Sequence, residues 1–150
     1  MIKDLFAEKY KFTAVFPDDS PICFDTADHN DIPKLADMYN GVKITRGNYK
    51  LRFDPGSDRN FGNVGGMFNA LSEKDIEYVL NDCNSSVLTA RHGGDIVGMF
   101  WVSKNDPAFA NREPPGKVMY FRDIIVAGTN VPSIPLLFIY TAIKLAKQAG

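Results

Sequence analysis

Two adjacent charges, Arg122 and Asp123, interrupt an otherwise apolar run over residues 118–126. A charge set among apolar neighbours needs a partner or a shifted proton equilibrium. Two readings of Asp123 therefore stay open, a carboxylate with a functional task and one half of a structural ion pair. Strand alternation puts Asp123 on the face of Phe121 and Ile125, and Arg122 on the face of Tyr120 and Ile124. Other reactive residue types are sparse. Cys23 and Cys83 lie far apart with no C-x-x-C spacing, and His29 and His92 complete no ligand pattern with them. Reduced structural thiols and no metal site are expected. No G-x-S-x-G elbow occurs, and Gly62, Gly65 and Gly66 are not followed by Lys-Ser or Lys-Thr, so serine-hydrolase and P-loop chemistry have no support. Acids gather early (Asp18, Asp19, Asp25, Asp28, Asp31, Asp37) and bases follow (Lys43, Arg46, Lys50, Arg52, Arg59). Charge runs of this kind usually face water, which predicts a solvated surface rather than a ligand patch.

The elements that must hold these residues follow from length and periodicity. At 150 residues, the chain has the size of one domain with a single core, spanning residues 1–150. Seventeen Lys plus Arg against eighteen Asp plus Glu give a net charge of −1, without the basic excess of a nucleic-acid binder. Charges break up the N-terminal residues, so no signal peptide is visible. The longest apolar segment, residues 134–143, is about half of the ~20 residues a bilayer crossing needs. The expectation is a soluble cytoplasmic protein with no membrane or nucleic-acid partner.

Residues 1–19 are mixed. β-formers predict a short strand over residues 22–26. Ile32, Leu35, Met38 and Tyr39 recur at helical steps, predicting a helix over residues 31–39, with Asp28 or Asn30 as cap, Pro33 in its first turn and Asn40-Gly41 as the stop. Residues 42–53 are rich in β-formers, and residues 54–66 read as a long loop. Ser72-Glu73-Lys74-Asp75 is a capping-box start for a short helix with Ile76, Val79 and Leu80 on its apolar face. Strands over residues 87–91 and 96–102 pair as a hairpin through His92-Gly93-Gly94-Asp95. A further strand over residues 118–126 precedes a helix over residues 134–149. That last helix is apolar nearly all round, from Leu136 to Leu145, and so calls for cover on more than one face. Either the chain is a fragment, or a second copy or another chain packs there. In the latter case, charged substitutions at Phe138 or Leu145 are expected to break the contact.

The succession strand, helix, helix, antiparallel hairpin, strand, break, helix resembles the GCN5-related N-acetyltransferase (GNAT) superfamily. The carriers are SVLTARHGGDIVGMFWV (86–102), similar to the family's second and third strands, and YFRDIIVAGTNVPSIPLLFIYTAIKLAKQAG (120–150), similar to its fourth strand, acyl-CoA loop and following helix. ADHNDIPKLADMY (27–39) resembles its opening strand–helix junction. The fold so implied is α+β, a mixed but mainly antiparallel sheet with helices on both faces, lacking the C-terminal strands. The resemblance implies acetyl-CoA or another acyl-CoA as donor, with a small-molecule or protein amine as acceptor. It implies Asp123 as the catalytic base on or near the fourth strand, and backbone at Ile125, Val126 and Ala127 for the pantetheine arm, although a plain core strand explains those apolar residues equally well. Gly128, Thr129, Asn130 and Ser133, entering the last helix, correspond to the pyrophosphate site. The signature Arg/Gln-x-x-Gly-x-Gly/Ala is missing there, and Pro132 and Pro135 each remove an N–H donor. Three functions are therefore carried forward: an N-acyltransferase domain, a module of the same fold that binds without transfer, and an unrelated interaction protein docking through its last helix.

Overall fold

A computed structural model describes residues 2–16, 20–40, 71–104, 119–126 and 133–149. Five strands, β1 (Phe12–Val15), β2 (Pro21–Thr26), β3 (Ser85–His92), β4 (Asp95–Ser103) and β5 (Tyr120–Val126), form one sheet in sequential order, and every pairing in it is antiparallel. Among the described residues, four α-helices accompany it: α1 (Ile2–Lys9), α2 (Ile32–Asn40), α3 (Glu73–Asn81) and α4 (Ser133–Ala149). The α+β class, the order of elements and the helices on both faces agree with the sequence reading; among the described strands, none runs parallel to its neighbour. Residues 42–66, the expected β-rich stretch and loop, lie outside the described residues.

Two apolar cores flank the sheet. One holds Phe6, Tyr10, Phe24, Leu88, Phe100 and Phe138, between the sheet and the α1–α4 layer. The other holds Leu35, Tyr39, Ile76, Val79, Met99 and Ile125, beneath α2 and α3. Because β3 and β4 are covered on both faces, they read as near-continuous apolar runs, with Leu88 and Phe100 pointing one way and Val87 and Met99 the other. The β3–β4 turn takes φ of 58° at Gly93 and 90° at Gly94, which L side chains rarely adopt, so the two glycines fit the hairpin.

Helix α1 and strand β1 lie where the sequence showed only mixed character. α1 is eight residues long and anchors mainly through Phe6, followed at Tyr10 by a backbone bond to the Phe6 carbonyl, too short a stretch for a periodic signal. The capping box expected at Ser72 is formed, and of the two expected caps for the earlier helix it is Asp28 that acts, in a second box with Asp31. Asp28 accepts from the Asn30 N–H at 2.7 Å, Asp31 returns a bond to the Asp28 N–H, and Ser72 pairs with Asp75 in the same way.

α4 is seated more deeply than an all-round apolar helix suggests. Ile134, Phe138, Ala142 and Leu145 are buried against the protein's own sheet, so Phe138 and Leu145 cannot report on docking as the sequence reading supposed. Its exposed apolar residues are Leu136, Tyr140 and Ile143. The close approach of α4 to β4 depends on Gly98, where an added Cβ would lie 3.1 Å from the Phe138 ring and 3.3 Å from Ile134. Gly98→Val is expected to lower unfolding stability by about 1–3 kcal/mol through overpacking, read by denaturant titration. An unchanged midpoint would mean that α4 can move off the sheet freely.

Candidate functional site

Two breaks in strand register organise the sheet centre. Across β3 and β4, Ala90 pairs with Gly98 and Arg91 with Ile96, leaving Val97 extra. Across β4 and β5, Trp101 pairs with Asp123 and Val102 with Phe121, leaving Arg122 extra. A bulge sets two residues against one and re-aims their side chains. The alternation expected for residues 120–125 is therefore wrong on one side of Asp123. Asp123 does share a face with Ile125, but Phe121 turns to the opposite face and packs edge-on against Phe100, with ring centroids 5.1 Å apart. Arg122 leaves the face of Ile124 and lays its guanidinium over the Trp101 ring, 5.2 Å from the centroid.

The bulge thus gathers Trp101, Arg122 and Asp123 on the side covered by α2. Asp123 is 5% exposed and accepts a hydrogen bond from the Tyr39 hydroxyl at 3.1 Å. Burial first, and then the charge and hydrogen bond of Asp123, hold the Tyr39 phenol well above its usual range, against a smaller opposing pull from Arg122. Tyr39 therefore remains a donor to the carboxylate at any ordinary pH. The indole Nε1 of Trp101 is buried with no hydrogen-bond partner.

α2 is pinned at both ends, and this positions Tyr39. At its start, Arg91 forms a two-point bond with Asp31, at 2.9 and 2.7 Å, while its Nε donates to Asp25 at 3.0 Å. Thr89 donates to the Asp25 carboxylate and, at 3.2 Å, to the Asp25 carbonyl. At its end, the Asn40 side chain donates to the Leu71 carbonyl and accepts from its N–H, at 2.8 and 3.0 Å. Two of the early acids, Asp25 and Asp31, are thus committed to a partly buried ion-pair network and are not part of a solvated surface, while Asp18 and Asp19 lie outside the described residues.

Burial pushes the Asp31 carboxyl up, but hydrogen bonds from Arg91 and the Asp28 N–H, with the Arg91 charge, bring it below its ordinary 3.8. The stabilisation linked to it is complete above that value and is lost as pH falls through the lowered native one. On acidification from about pH 5 to pH 3, the wild type is expected to lose more thermal stability than Arg91→Met. Equal losses in both proteins would remove Asp31 as the cause.

The other expected site residues divide. Ile125 is buried opposite Met99 in the α2–α3 core, Val126 packs toward the opposite core opposite Gly98, and Ser133 opens α4. Ala127, Gly128, Thr129 and Asn130 lie outside the described residues. Among the described strands, β5 pairs only with β4 and forms one edge of the sheet. Sequence reasoning missed Tyr39 and Trp101. Tyr39 was visible only as one member of an apolar stripe, and Trp101 as one residue of a hairpin strand. Strand register brings Trp101 to Asp123, and the seating of α2 brings Tyr39.

Among the described residues, no group of three or more His, Cys, Asp or Glu is arranged to hold a metal ion. Cys23 and Cys83 are free thiols. No described helix is long and apolar enough to cross a membrane.

No family model matches the chain, and no curated protein matches it significantly. Solved structures do. The GNAT domain of the S. lividans PAT superposes with a TM-score of 0.65 at 12% identity, covering 94% of this chain and 74% of that one. The fold is that of a GNAT domain. An uncharacterized protein from Bacillus halodurans is similar over 92% of this chain and 66% of its own, with a TM-score of 0.53 and 10% identity. In this GNAT-like fold, the hairpin of β3 and β4, strand β5 and helix α4 follow one another as the resemblance implied.

Proposed function

We propose that this chain is an N-acyltransferase-type domain that moves an acyl group, acetyl in the simplest case, from acyl-CoA to an amine, with Asp123 as general base. What carries the reading is the buried Asp123 carboxylate at the bulge of an edge strand, oriented by Tyr39 and flanked by a cation. In the step, the amine nitrogen attacks the thioester carbonyl and forms the C–N bond. Asp123 takes the amine proton, the C–S bond breaks, and coenzyme A leaves as the thiol once it has gained a proton. Among the described strands, the outer edge of β5 suits a pantetheine arm, with the backbone of Ile125 and Val126 along it and Ala127 next in sequence. Gly128, Thr129, Asn130 and Ser133, before and at the start of α4, would meet the pyrophosphate. The likeness to the GNAT domain of the S. lividans PAT supports N-acetyl transfer as the reaction class.

A second reading is favoured by Pro132 and Pro135, which remove two N–H donors where phosphate would dock: a module that keeps the fold and binds without transfer. Thermal unfolding with acetyl-CoA, against adenosine diphosphate as control, separates the two. At a hundred times its dissociation constant, acetyl-CoA stabilises a binding-competent domain by about 2.7 kcal/mol, or roughly 5–10 °C at this size. A shift clearly beyond the control is expected. Equal shifts, or none, would give the second reading precedence.

A further inference from the structure

We draw no further inference here: the strongest candidate, the exposed apolar stripe of Leu136, Tyr140 and Ile143 along the outer face of α4, is an unpartnered helix face, and nothing in the structure shows what covers it.

Discussion

Asp123→Asn is expected to slow acyl transfer about 10²–10⁴-fold, the usual contribution of a positioned general base. Asparagine has nearly the same volume, and its amide oxygen can still accept from the Tyr39 hydroxyl, which sits 3.1 Å from the native carboxylate. The pairing of Trp101 with position 123 involves backbone and is likewise kept. The loss should therefore fall on kcat, with the unfolding temperature and the acetyl-CoA shift little changed. Steady-state rates with acetyl-CoA and the amine that proves active decide it. A rate within threefold of wild type would make Asp123 the structural half of a buried pair, the other reading that its sequence setting allows.

Phe138→Ala is expected to cost about 3–5 kcal/mol of unfolding stability. The ring is fully buried and touches Phe24 at 5.5 Å, Phe100 at 5.7 Å and Tyr10 at 6.4 Å between centroids, so its removal opens a void at the centre of the α1–α4 core. Against a typical 5–15 kcal/mol in total, that is a large fraction, and the unfolding temperature should fall by about 10 °C. Leu136, two positions earlier on the same helix, is 68% exposed. Leu136→Asp should stay within about 0.5 kcal/mol of wild type, helped by an acid near a helix N-terminus. Thermal unfolding of the two variants side by side reads the orientation of α4. Similar losses in both would mean that the helix is not seated with Phe138 inward.

Periodicity, capping and turn chemistry are local, and what they govern was legible. Ile32, Leu35, Met38 and Tyr39 mark one buried face, Ser72 with Asp75 marks a helix start, and Gly93-Gly94 marks a hairpin whose positive φ angles the structure confirms. The succession of these elements was enough to suggest a GNAT-like sheet. Helix α1 and strand β1 escaped because eight and four residues carry too few repeats to declare a period.

The site was legible only as the isolated charges Arg122 and Asp123. Their surroundings depend on register, a non-local property set by which residues of β4 and β5 pair. Alternation assumes one residue against one, and the bulge at Arg122 breaks that assumption, sending Phe121 to Phe100 and bringing Arg122 over Trp101. Tyr39 lies 84 positions from Asp123 and meets it because Arg91 ties Asp31 and Asp25 together at the head of α2. In the sequence, the two aspartates looked like solvated surface, and Arg91 was one residue of a hairpin strand. From β2 to α4, the identity and order of the described elements were thus determined by the sequence itself, through neighbouring residues alone. Which side chains share a face at Asp123 was decided only by tertiary structure, because one extra residue in a strand reverses the face of its neighbours and no local pattern records it.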